Sequence, residues 1–568
     1  TGLDADSGEV LFEEEHQGKG APTGTETANL VWTAPDRMLV KAHKHSTLFR
    51  IGSNSQGFGM EEVWQTPSLK NTYVVSVHHD GLLFGYNSRI LSCVDAETGE
   101  RLWRSRSPGD GFPIVIGGQL VVMTKKGTLS VAPASREGYD EVARLHVFDD
   151  LVWTPARYAN GSLYVRSRKE WARIDVVESG EATRSDEAPP GVVTGSAFQA
   201  WVDGVRGAPA SERSSLVDTF LSEQDAFPVV EGEDLVHFVY RGPEVDVGLV
   251  ADLFGGRTDR PMHRVEGTDL FYFSTPLERD ARIEYSFLGE LQTPISDPLN
   301  PRDPVGDGPS KELTMPGWVH PAHLDEPPPE RRGHLETLTL RSDIRDREVV
   351  LRVYLPRGYD PDRRYPVAYV LDGEDSLDNL MIHTLDNVVG RTVEPVIAVF
   401  VPYLGRWMPS TEYVGEKLEE YVRVLVGGFV PAVERECPTV AAAEGRALVG
   451  RFNPTYTSVY GAYRHPGQVG KLGLQTMRWE PGYRPRNRAM LRDAPRQELT
   501  VYLDWSTYDA RSELEGNDFR AFSIAFGEDL RAAGYDFAGG EAHDGVGWPS
   551  WRNRTDKLLE ALFPLEEP

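Results

Sequence analysis

From residue 331 to 568, apolar strand-like runs alternate with helical stretches, and this alternation restricts the region to an α/β fold with a largely parallel sheet. Residues 349–356 read as an early strand, 365–373 as a buried strand ending in a loop, and 396–401 as the next strand. A helix is expected over about 417–437, where apolar residues recur at helical spacing. Residues 446–449 then form a buried strand that runs into Gly450, with helix beyond. With 568 residues the chain needs about three domains.

Residues 1–185 have a different rhythm. Short apolar runs at 72–77, 81–86, 119–123 and 161–165 are separated by Gly, Asp and Asn turns, the pattern of strands. One segment recurs: Cys93-Val94-Asp95-Ala96-Glu97-Thr98-Gly99-Glu100-Arg101-Leu102-Trp103 echoes Leu3-Asp4-Ala5-Asp6-Ser7-Gly8-Glu9-Val10-Leu11-Phe12, with Gly8 and Gly99 91 residues apart. That is about two propeller blades. Together with Trp64 and Trp103, it resembles the quinoprotein-type β-propellers. The enzymes of that family hold pyrroloquinoline quinone with a vicinal cysteine pair and calcium. Cys93 and Cys437, far apart, supply neither that pair nor a disulfide framework, and both read as small buried residues. The resemblance therefore implies a non-enzymatic propeller without a cofactor, as in outer-membrane assembly lipoproteins, and a bacterial periplasmic or extracellular location. About four blades fit into 185 residues, so the propeller is expected to be partial. Its missing blades would come from preceding sequence or from a partner subunit.

Residues 181–190 read as a polar linker, and a short helix is expected at about 211–222. Strand runs at 235–240, 247–251 and 270–274 suggest a small β-sandwich. With Val239-Tyr240-Arg241-Gly242, 267–272 and 281–287, residues 190–315 resemble the immunoglobulin-like domain that precedes the catalytic domain of enterochelin-esterase-like proteins. Its aromatic residues are expected to pack as core.

Leu355-Pro356-Arg357-Gly358-Tyr359, Val370-Leu371-Asp372-Gly373, Arg464-His465-Pro466 and the tail 540–552 make residues 331–568 similar to the esterase D and enterochelin-esterase family of α/β-hydrolases. In that family the strand–turn–helix elbow reads GxSxGG, and its serine attacks the ester carbonyl. Here the elbow reads Gly450-Arg451-Phe452-Asn453-Pro454, so Phe452 stands at the nucleophile position and Pro454 replaces a packing glycine. The resemblance places the oxyanion-type backbone N–H groups at Asn453 and near Gly373. It places the acid at Asp509 and the base at His543, read as a vestigial, mainly structural pair. Gly545-Val546-Gly547 separates Asp544 from Trp548, so the pocket rim departs from the family tail as well. Thr455, Thr457 and Ser458, just past the elbow, are the hydroxyls that could stand in for the missing serine.

The formal charge of −27 repels nucleic acid and anionic membrane. No apolar run reaches the ~20 residues of a membrane helix. His43 with His45, and His78 with His79 and Asp80, could chelate a metal but show no third ligand and read as exposed turns. The fold expected is thus multidomain: partial β-propeller, immunoglobulin-like sandwich and α/β-hydrolase. The function expected is a catalytically inactive, esterase-like scaffold or binding protein whose partners are other protein subunits. An active esterase using a non-standard nucleophile with His543 and Asp509 is the alternative. A quinone-dependent dehydrogenase is the third and least supported reading.

Overall fold

The computed structural model describes residues 2–4, 6–13, 30–41, 45–54, 57–70, 74–176, 190–255, 259–289, 293–304, 308–342, 347–403, 413–415, 417–479, 488–491, 496–512 and 517–565. The chain divides into two units, Thr1–Pro189 and Pro190–Pro568. The linker expected at 181–190 lies, up to residue 189, outside the described residues, as do His43 and residues 72–73 of the first expected strand.

The first unit is built of antiparallel meanders. A hairpin, Gly2–Leu3 with Val10–Phe12, comes first. Three four-stranded sheets follow, spanning 30–66, 77–105 and 111–146, and then a three-stranded sheet spanning 157–175. Period-two alternation gives each sheet an apolar face for the next. Leu39 and Leu48 meet Leu83 and Val94; Phe84 and Cys93 meet Phe112 and Val122; Met123 meets Leu163 and Val165. Among the described residues the last sheet does not pair with the first hairpin, so no closed ring is formed. Burial pushes the Cys93 thiol up to about 12, as befits a packed rather than a reactive sulfur.

The recurring segment folds the same way twice. Asp95 Oδ1 accepts from the backbone N–H of Glu97 and Thr98, the Asp95 N–H donates to the Glu100 carbonyl, and Gly99 N–H donates to the Asp95 carbonyl at 2.9 Å. Asp4, Asp6, Ser7, Gly8 and Glu9 repeat these bonds, and both glycines have φ 73°. The second turn carries a further contact. Trp64 of the preceding sheet lies over Gly99 and donates its indole N–H to the Ala96 carbonyl at 3.2 Å; Trp103 does the same to Ser135 at 2.9 Å. A Cβ on Gly99 would lie 2.6 Å from the Trp64 ring, whereas none of the described atoms lies within 4 Å of one on Gly8. Gly99→Ala is therefore expected to destabilise the first unit by about 2–3 kcal/mol, and Gly8→Ala by only about 1 kcal/mol, measured by chemical denaturation.

In the second unit, the strands expected in the middle region form two antiparallel sheets around one core of Phe238, Tyr240, Leu249, Ile283 and Tyr285. Two helices, Ala197–Gly207 and Ala210–Ser222, pack on Val239, Leu270 and Tyr272. The sequence reading had only the second of them.

The remainder is an eight-stranded sheet. Its strands are β1 (His334–Ser342), β2 (Arg347–Leu355), β3 (Val367–Leu371), β4 (Ile397–Val401), β5 (Arg446–Phe452), β6 (Lys471–Met477), β7 (Thr500–Ser506) and β8 (Ala538–Ala542). The spatial order is β1-β2-β4-β3-β5-β6-β7-β8, parallel from β4 to β8. Tyr369 and Leu371 face helices Leu418–Val424, Asn453–Arg464 and Phe519–Ala532, while Ala368 and Val370 face Met381–Val388 and Thr555–Leu562. This order, helices on both faces and a strand–turn–helix elbow make it an α/β-hydrolase sheet.

Sandwich and α/β sheet share a charged seam. Arg282, fully buried, pairs with Glu284 at 2.8 Å and Glu312 at 2.7 Å and approaches Asp544 at 3.8 Å. Its N–H donates to the His543 carbonyl. Asp252 Oδ2 accepts from Glu284 N–H at 2.8 Å, and a Cβ on Gly545 would lie 1.9 Å from that oxygen. Burial, then the neighbouring Glu284 carboxylate, raises Asp252 to about 7, with Arg282 opposing. A folded-state value above the unfolded one means stability that is full below about pH 4 and is lost as pH rises through 7. Asp252→Asn, which keeps an acceptor for the Glu284 N–H, is expected to flatten that pH 4–7 slope in unfolding titrations.

Candidate functional site

β5 ends at the elbow. Phe452 has φ 58° and ψ −119°, and the helix Asn453–Arg464 starts directly after it. Gly450 makes the tight strand-to-helix approach possible: a Cβ there would lie 2.6 Å from the carbonyl carbon and oxygen of Pro454. Pro454 stands in the first helical turn, where its missing N–H has no intrahelical partner to lose. A non-glycine residue at such φ/ψ costs about 1–3 kcal/mol. The Phe452 ring is half-buried, its centroid 4.4 Å from that of Phe519. It packs partly buried against the core and presents no nucleophilic atom.

Gly373 starts the short helix after β3, and Asn453 the helix after β5. β3 and β5 are adjacent and parallel, with Val370 opposite Val449, so both backbone N–H groups lie at the same end of the sheet. A Cβ on Gly373 would lie 2.6 Å from the carbonyl carbon of Phe400, which accounts for glycine there.

The expected Asp509–His543 pair is not formed. Asp509 is buried; its Oδ2 accepts from the Thr476 hydroxyl at 2.6 Å and its Oδ1 from the Ala510 N–H at 2.8 Å. Burial raises its carboxyl to about 6. Thr476 is held in turn by the Trp551 indole N–H at 2.8 Å and sits at φ 57°, costly for a β-branched residue. His543 is half-exposed and bonds Asp280 of the sandwich, Nδ1 to Oδ1 at 2.7 Å. The cause is the course of the chain after β8. Asp544 N–H closes back on the Ala542 carbonyl, and the Asp544 carboxylate is fixed by Asn553 and Arg554. Together with the bond from Arg282 N–H to the His543 carbonyl, this holds residue 543 at the seam while Thr476 occupies the acid.

The substitute hydroxyls are committed elsewhere. Thr455, Thr457 and Ser458 are fully buried and donate to the carbonyls of Phe452, Tyr413 and Pro454. Beneath the elbow, Arg451 is buried, bonded to Gln475, Ser376 and Thr555, and covered by the Trp548 ring. Burial lowers it to about 10. Gln475 carries the network on to Asp504 at 3.0 Å.

The described residues hold no group of three His, Cys, Asp or Glu side chains arranged for a metal, and His79 pairs with Asp80 at 3.4 Å. No described helix is long and apolar enough to cross a membrane.

Residues 342–559 match the family model described as putative esterase. The C-terminal domain is esterase-like. Among solved structures the chain is similar to the enterobactin esterase of Shigella flexneri, at 16% identity and TM-score 0.47 over 61% of this chain and 98% of that one. It is also similar to the ferric enterobactin esterase of Salmonella typhimurium, at 15% identity and TM-score 0.49 over 61% and 98%. A ferulic acid esterase of Anaeromyces mucronatus matches at 19% identity and TM-score 0.33 over 41% and 94%. No curated protein matches the chain. What the sequence reading missed are Thr476 of the esterase-like domain, which bonds Asp509, and Asp280 of the sandwich, which bonds His543. Asp280 lies 263 residues upstream of its partner, where no local pattern points to it.

Proposed function

We propose that the esterase-like domain is catalytically silent and that the chain works as a binding or scaffold protein, in contact with other protein subunits outside the cytoplasm of a bacterium. The observation that carries the reading is Phe452 at the elbow, with the strained φ/ψ of a nucleophile position and a ring packed on Phe519. Acyl transfer needs a nucleophile within hydrogen-bond reach of a base that is itself oriented by an acid. Phe452 offers no such atom, His543 turns to Asp280, and Asp509 turns to Thr476. The active-esterase alternative loses its best candidates, because the three nearby hydroxyls are buried and bonded to backbone carbonyls. The meandering sheets of the first unit, with their tryptophan-locked turns, support the blade-like reading, and the two-sheet core at 229–314 supports the immunoglobulin-like one. A propeller-like unit offers broad faces for partners.

The test is hydrolysis of a short p-nitrophenyl ester by the parent and by His543→Ala. Both are expected to match buffer. Turnover by the parent that His543→Ala abolishes would restore the esterase reading.

A further inference from the structure

We propose that Glu231 and His237 form an acid-sensitive latch holding the helix Ala197–Gly207 on the sandwich, and that protonation of His237 loosens this helix before the rest of the second unit. The inference does not depend on whether the esterase-like domain is silent.

The Glu231 carboxylate closes the start of the helix. Its Oε1 accepts from the Ala197 N–H at 2.8 Å and its Oε2 from the Phe198 N–H at 3.0 Å. These are amide groups that a first helical turn leaves without intrahelical partners. The Ser196 hydroxyl takes another, the Gln199 N–H, at 3.0 Å. Behind Glu231 stands His237, fully buried, with Nε2 3.2 Å from Oε2 of Glu231 and Nδ1 2.8 Å from the Ser274 hydroxyl. The imidazole is stacked on Phe198 of the helix, centroids 4.3 Å apart. Sheet register sets this up, because His237 lies directly across from Ser274 on one side and Val229 on the other.

The bonding pattern decides which protonation state fits. An ionised carboxylate only accepts, so the neutral imidazole carries its hydrogen on Nε2, and Nδ1 accepts from the Ser274 hydroxyl. A second proton, on Nδ1, points at that same hydroxyl. Ser274 must then turn its own hydrogen away, and among the described residues its buried hydroxyl bonds nothing else. A buried donor left without a partner is costly. The charge is costly too: burial holds His237 below the ordinary histidine value, with Glu231 opposing. Burial also works against the Glu231 carboxylate, but the Ala197 and Phe198 N–H groups, and then His237, hold it below its ordinary value. Folded-state values below the unfolded ones mean stability that is present at neutral pH and lost on acidification. His237 yields first, below its unfolded value of 6.5, and Glu231 only below 4.5.

Among the described residues Glu231 is the only charged group that acts on His237. Asp203 and Arg206 stand farther along the helix, bonded to Gln199 and Tyr272, and His263 on the edge strand holds the Pro190 carbonyl at 2.9 Å. The helix packs on Val239, Leu270 and Tyr272, so loosening it bares an apolar patch of the sandwich.

The experiment is hydrogen–deuterium exchange of the full chain at about pH 7 and about pH 5, corrected for the intrinsic pH dependence of amide exchange. Protection of residues 197–207 is expected to fall at least about tenfold between the two, and that of the helix Asn453–Arg464 by less than about twofold. His237→Gln keeps a donor for Glu231 and an acceptor for Ser274 but takes up no proton, and is expected to abolish the difference. Glu231→Gln keeps an acceptor and loses the charge, and is expected to show the loosened helix already at neutral pH. Unchanged protection of 197–207 in the parent overturns the proposal. So does equal loosening of Asn453–Arg464, a difference that persists in His237→Gln, or a Glu231→Gln helix as protected at neutral pH as the parent's.

Discussion

Replacing Arg282 by alanine is expected to destabilise the second unit by about 3–5 kcal/mol. The guanidinium has no exposed surface and holds Glu284 and Glu312, with Asp544 at 3.8 Å. Burial alone would depress such a cation, but the three carboxylates outweigh it and hold it charged well above the ordinary arginine value. Removing it leaves those carboxylates facing one another in a seam that also contains buried Asp252. Urea unfolding followed by tryptophan fluorescence measures the loss. Arg279→Ala is the control: its pair with Glu233, at 3.5 Å, is about two-thirds exposed on both sides and should change stability by no more than about 1 kcal/mol. Equal effects of the two substitutions would show that the seam does not hold the sandwich to the α/β sheet.

Phe452→Ser is expected to leave ester hydrolysis at the buffer rate. The substitution puts a hydroxyl on an elbow whose backbone already has the shape of a nucleophile position, yet it supplies no base. Where a triad works as a unit, losing one member removes about six orders of magnitude in kcat, so restoring one member alone recovers nothing. Adding Asp280→Ala to Phe452→Ser frees the His543 imidazole from its carboxylate, but Asp509 remains bonded to Thr476 and Ala510. That double variant is therefore expected to stay silent too. The readout is p-nitrophenolate release against buffer and against His543→Ala. Measurable turnover by Phe452→Ser alone would mean that the base reaches the elbow after all.

Much of the architecture could be read from local pattern. The elbow was visible because a buried strand, Gly450 and a helix occur in sequence, and each is a short-range signal. The repeated turn was visible because Asp4 and Asp95 each precede a glycine that must take positive φ. The helix Ala197–Gly207 lies in a polar stretch and is marked only by Ser196 as N-cap and by Phe198, Val202 and Val205 on one face. The site resisted for another reason. Asp509 and His543 occupy the expected places in the chain, but what each one bonds is set by tertiary neighbours. Thr476 comes from the neighbouring strand β6 and Asp280 from another domain, and neither is marked by spacing. The sequence could show that a serine is absent; it could not show that the acid and base had found separate partners.

The backbone at residue 452 has unusual dihedrals although the side chain it carries has no nucleophilic atom. The shape is enforced from below, by the close passage of Gly450 against Pro454 and by the helix that follows. Whatever side chain stands there inherits the same launch direction at the end of the central strand. The elbow is thus a mount indifferent to its fitting, and a lineage can exchange a reactive group for a recognition group at that point without rebuilding any strand around it.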